Sequence, residues 1–129
     1  MARDVKLQYL LTCDAVAVSP DGKPTFYGVF TEISVNELPC VHPIMYVVWG
    51  IRTAKPCTVA LHLISPKGKV IASFPTAELQ ADPGKESIIG GHYGLMSTKF
   101  EEPGQYCFRL HVNDYVVGKA PICVKLGEE

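Results

Sequence analysis

No surplus of charge of either sign exists in this sequence: 12 lysines and arginines stand against 13 aspartates and glutamates, a formal net charge of −1. The cations are scattered singly, so no stripe is available to neutralise a phosphate backbone, and nucleic acid is not an expected partner. Long apolar runs are missing as well. Ile44 to Ile51 is among the longest, far short of the roughly 20 residues a membrane-spanning helix needs. Met1 to Lys6 leads into mixed polar and apolar sequence without the apolar stretch or small-residue cleavage site of an export signal, so a cytoplasmic location is the expectation.

Cysteine pairing motifs are lacking too. Cys13, Cys40, Cys57, Cys107 and Cys123 are odd in number and evenly spread, with no Cys-x-x-Cys. Without an oxidising compartment they are expected to be free thiols, several acting as small hydrophobes; a Cys107–Cys123 bridge is conceivable only if the last two strands pair. Helix signals are almost absent. Thr76 to Ala81 is the one helix-like fragment, a turn or two at most.

What is present is strand-forming sequence. With 14 Val, 8 Ile, 7 Thr and 12 aromatics, punctuated by 11 Gly and 10 Pro, the composition is all-β. A long strand over 5–18 is followed by the turn Ser19-Pro20-Asp21-Gly22-Lys23, where Pro presets φ and Gly supplies a positive one, and then by a return strand over about 25–35. Strands are expected over 44–52, 57–64 and 69–74. Gly90, Gly91 and Gly94 interrupt 87–97 and suggest a bulge or a close backbone approach. Tyr106, Phe108, Leu110 and Val112 alternate with Arg109 and His111, which gives one core face and one wet face, and a hairpin at Asn113-Asp114 leads to the last strand. The expectation is one domain over residues 1–129, an antiparallel two-sheet β-sandwich of seven or eight strands.

The two ends of the chain carry a resemblance. Tyr9 to Asp14, then Gly22-Lys23, then Phe26 to Ile33, and at the other end Glu102 to Phe108 with its following hairpin, resemble a family of small bacterial proteins classed as a domain of unknown function. The resemblance implies an immunoglobulin-like β-sandwich and supplies no activity and no catalytic residues.

Candidate chemistry is sparse. Cys40-Val41-His42, His62, His92 and His111 lack the paired spacing of a metal site, no Gly-x-Ser-x-Gly or Cys/His nucleophile pattern occurs, and Gly22-Lys23 and Gly68-Lys69 read as hairpin turns rather than phosphate loops. No cofactor is expected. Asp14, a carboxylate in an apolar strand, suggests a structural role, either bonding a neighbouring turn or discouraging edge pairing. Tyr106 beside Pro103-Gly104 suggests a tyrosine corner. The 44–52 strand is apolar on both faces: Ile44, Tyr46 and Val48 on one, Met45, Val47, Trp49 and Ile51 on the other. One of those faces needs cover, from the 75–86 connection or from a partner, which makes Met45, Val47 and Trp49 candidates for an interface.

The sequence therefore points to a non-enzymatic protein-interaction module, self-associating through a strand edge or this apolar face, with a homo-oligomer or another protein as partner. The alternative is a small-ligand module using loops at one end of the sandwich, where His42, His92 and Tyr93 are the candidate contacts.

Overall fold

Strand-forming side chains at period two build ten strands in a computed structural model that describes residues 5–80 and 85–127. They are β1 (Val5–Val18), β2 (Pro24–Phe30), β3 (Glu32–Val35), β4 (Cys40–Thr53), β5 (Cys57–Ile64), β6 (Val70–Ser73), β7 (Ala77–Leu79), β8 (Ser87–Phe100), β9 (Gly104–Val112) and β10 (Tyr115–Leu126). One sheet has the order β2-β1-β4-β8; the other runs β3-β10-β9-β5-β6, with β7 also pairing β5. No helix among the described residues is long and apolar enough to cross a membrane.

The count exceeds the expected seven or eight for two reasons. The expected return strand over 25–35 is two strands, because the chain leaves β2 in the first sheet and enters the second as β3, where it runs parallel to β10. The helix-like fragment at 76–81 contains a strand instead. Ala77, Glu78 and Leu79 pair with Val59, Thr58 and Cys57, so the sheet supplies the backbone partners that a fragment this short could not supply for itself as a helix.

Between the sheets lies the core. Tyr106, Phe108, Leu110 and Val112 are all buried, as the alternation of β9 predicts, and they face Met45, Val47, Trp49 and Ile51 of β4. This corrects the expectation for Met45, Val47 and Trp49. All three are core residues, with Trp49 only 3% exposed, and none is available to a partner.

The opposite face of β4, where Ile44 stays 40% exposed, is partly covered by the chain's own first hairpin; residues 81–84 of the 75–86 connection lie outside the described residues. Strand β1 pairs with β4 through Val5 to Cys13 and with β2 through Thr12 to Val18. Asp14 and Gly28 face each other where the hairpin bends, and Gly28 takes a φ of +66°, which a side chain would oppose. Beyond the bend Phe26 lies opposite Val16, yet its ring sits 5.5 Å from that of Tyr9. The hairpin tip therefore folds back over the first sheet. Under this third layer Val48 and Cys13, both on the outer face, are fully buried. Asp14 is exposed at the bend, just past Cys13 where the pairing of β1 with β4 ends while its pairing with β2 continues to Val18.

The five cysteines are free thiols. Cys107 lies opposite Pro121, and Cys123 opposite Gln105, so the two are out of register for a bridge. Burial pushes the Cys13 and Cys57 thiols above their ordinary range.

Tyr106 closes the corner between β8 and β9. Its hydroxyl donates to the Glu102 carbonyl at 2.8 Å while the ring packs edge-on against Phe100 at 4.9 Å. Tyr106→Phe keeps the ring and strands that part-buried carbonyl, so a loss of about 1–2 kcal/mol is expected in chemical denaturation. A midpoint equal to wild type would show the bond to be dispensable.

Candidate functional site

Strand β8 ends its sheet, with β4 on one side and no strand on the other among the described residues. It is fourteen residues long, and from Ser87 to Thr98 it carries no Lys, Arg, Asp or Glu. Natural sheets usually blunt such an edge with charge, proline or a short length, because unpaired N–H and C=O groups template pairing with another chain. Here the flanking outer face is apolar as well: Ile88 is 59% and Met96 71% exposed.

The glycines of β8 seat aromatic rings. An added Cβ at Gly91 would lie 2.9 Å from the Trp49 indole, one at Gly94 3.0 Å from the Tyr46 ring, and one at Gly90 2.8 Å from the Tyr9 hydroxyl. Each glycine on β8 thus lies where a ring from β4 or β1 leans across it. The expected close approach is real, and the expected bulge at these glycines is not. Pairing with β4 keeps one register from Thr53–Ser87 to Cys40–Phe100. That register was already written in the sequence: Tyr46 and Trp49 are three apart, as are Gly94 and Gly91, in the order an antiparallel pair requires.

Toward its C-terminal end β8 borders a cleft of about 550 Å³ that opens between the edges of the two sheets. Its far wall is Lys69, Val70, Ile71 and Phe74 from the β6 side; its near wall is the run from Gly94 to Lys99. Ser97, with a φ of 55°, interrupts the ladder there, opposite Pro43.

His42, His92 and Tyr93, expected on loops at one end, sit in strands and do not converge. His42 pairs with Thr98 and lies with its ring 6.2 Å from Phe30. His92 is six ladder positions away, opposite Val48 on the outer face, roughly 20 Å along the strand. Tyr93 points inward, stacks on Phe74 at 4.7 Å and donates to the Pro75 carbonyl at 3.4 Å; burial raises its phenol above the ordinary range. It closes the mouth between the sheets. The rings of His62 and His111 come within 5.1 Å of each other on the second sheet, but no group of three metal-ligating side chains is found among the described residues.

The first and last strands of the second sheet, the β4–β8 and β5–β9 pairings and the tyrosine corner on the penultimate strand define an immunoglobulin-like β-sandwich. By sequence the chain belongs to a family of unknown function, DUF6941, whose pattern it matches over residues 8–125. No curated protein matches it. Among solved structures it is similar to an immunoglobulin-like protein from Pseudomonas aeruginosa, at 14% identity over 93% of this chain and 95% of that one, with a TM-score of 0.38. It is also similar to part of the Pseudomonas fluorescens alkylpurine DNA glycosylase AlkC (15% identity, 95% of this chain and 30% of that one, TM-score 0.49). A third is part of a β-glucosidase from Listeria innocua (12% identity, 94% of this chain and 16% of that one, TM-score 0.48). The chain thus spans about a third or less of the two enzymes.

Proposed function

We propose that this chain is a non-enzymatic, cytoplasmic interaction module that self-associates by antiparallel pairing of β8 with β8 of a second copy. The observation that carries the reading is the edge position of β8, a fourteen-residue strand without a charged side chain from Ser87 to Thr98. The face of β4 that carries Met45, Val47 and Trp49, the other surface considered from sequence, is consumed by the core between the sheets and drops out.

The sequence of β8 is complementary to itself in one register. Centred on His92, a two-fold pairing sets Ile88 opposite the partner's Met96 and Gly90 opposite the partner's Gly94 on the outer face, while Ile89 meets the partner's Leu95 and Gly91 the partner's Tyr93 on the inner one. Directly opposed apolar pairs are the unit that stabilises a sheet. A centre one residue earlier sets Met96 against Glu86, and one residue later sets Ile88 against Thr98; both forfeit the apolar match. Pairing would join two four-stranded sheets into one and remove both edges.

Absolute mass by light scattering across a dilution series tests this. The wild type is expected at twice 14.1 kDa. Ile88→Lys with Met96→Lys in one chain places lysines opposite each other at two points and should give a monomer with an unchanged far-UV spectrum. Ile88→Lys with Met96→Glu places Lys opposite Glu instead and should restore the dimer. A monomeric wild type at all concentrations, or a dimer indifferent to the double lysine, overturns the reading.

A further inference from the structure

The outer face of the second sheet holds an unneutralised group of cations. Ser73, His62, Arg109 and Lys119 stand directly opposite one another across β6, β5, β9 and β10, and His111 follows Arg109 two residues along on the same face. Ser73 Oγ lies 2.9 Å from His62 Nδ1, and the rings of His62 and His111 meet edge to face at 5.1 Å. Like charges directly opposite in a ladder destabilise it, and sheets usually avoid the arrangement. Neither Arg109 nor Lys119 has an ion pair among the described residues, and Nε of Arg109 is buried without a hydrogen-bond partner.

We infer that this row binds a phosphate group, with the Arg109 guanidinium as the principal contact and His62, His111 and Lys119 completing the charge. A planar fork with free donors is suited to a tetrahedral oxyanion, and the His111 imidazole can gain a proton as a dianion approaches. A single carboxylate would answer only one of the two permanent charges, Arg109 and Lys119. The site lies on the sheet face away from the core, so it is independent of self-association at β8.

The imidazoles supply the readout. His111 titrates below its ordinary range, first because of burial and then because His62 and Arg109 repel its charged form; Asp114 pulls the other way. Since the unfolded chain then holds more protons, this group lowers stability as pH falls from about 6.5 toward its folded midpoint. Bound phosphate would reverse that shift.

Nuclear magnetic resonance of the histidine rings, followed against pH with inorganic phosphate, phenyl phosphate or sodium chloride at equal ionic strength, tests the inference. Phosphate is expected to raise the His111 midpoint and chloride to leave it. Equal shifts from the two phosphates would mean that the row reads the phosphate alone, and a larger one from phenyl phosphate that it reads a phosphate carried on a larger molecule; both support the site. Arg109→Gln should weaken binding about tenfold or more, the loss of a charge-assisted bond, while Lys6→Gln, the same change in net charge on the other sheet, should not. Midpoints that follow ionic strength alone, or equal effects of the two substitutions, overturn it.

Discussion

Trp49→Ala should lower the stability of the chain by about 3–5 kcal/mol, as expected for emptying a buried aromatic site. The indole is 3% exposed, lies between Leu10 and Gly91 in the ladder and belongs to the core cluster that joins both sheets. Trp49→Asp should abolish folding outright, since a carboxylate there has neither water nor a partner. Had Trp49 been an interface residue, the same change would have left a folded monomer. Trp49→Phe separates two contributions, because the indole Nε1 is buried without a hydrogen-bond partner. Removing that orphan donor offsets part of the lost contact area, so Phe should cost clearly less than Ala in urea unfolding. A small loss for Ala would mean that the site collapses readily and that the core is not organised around this ring.

How much of this was legible in the sequence depended on whether the information was local. The alternation in β9 specified a core face without knowledge of any neighbour, and Pro103-Gly104 followed by Tyr106 specified the corner, because both patterns lie within ten residues. The two apolar faces of β4 were equally plain, and they correctly announced that something covers each. What covers them was not local. The cover is the hairpin, and its fold-back depends on the bend at Asp14 and Gly28, where one carboxylate meets one glycine of positive φ in a stretch that otherwise reads as two straight strands. For that reason the sequence leaves Met45, Val47 and Trp49 open between core and interface.

The β8 edge and the neighbouring cleft were hidden for a different reason. An edge is a property of strand order, and hairpin patterning leaves strand order open. The absence of charge from Ser87 to Thr98 is visible in the sequence, but in a central strand it would mean burial; only at the end of a sheet does it mean an unguarded edge. Likewise His62, Arg109 and Lys119 are 47 and 10 residues apart in the chain, and only the register of three strands sets them in a row.

Gly91→Val should be nearly as damaging as emptying the Trp49 site, for the opposite reason. A Cβ at this position would sit 2.9 Å from Cζ2, 3.1 Å from Cε2 and 3.3 Å from Nε1 of an indole already enclosed by the core, so the ring has nowhere to retreat. Overpacking of this kind costs typically 1–3 kcal/mol for Ala and more for a β-branched side chain. Gly94→Ala is the matched control. Its Cβ would lie 3.0 Å from the half-buried Tyr46 ring on the outer face, which can swing aside, and replacing a strand glycine itself returns roughly 0.5–1 kcal/mol. Gly94→Ala should therefore be near neutral, and Gly91→Ala clearly destabilising. Combining Gly91→Ala with Trp49→Phe should recover part of the loss, because the smaller ring vacates the space the methyl needs, and the resulting coupling should be 0.5 kcal/mol or more in a double-mutant cycle, roughly the range for side chains in contact. Strict additivity would separate the glycine from the ring and leave its place in β8 without this explanation.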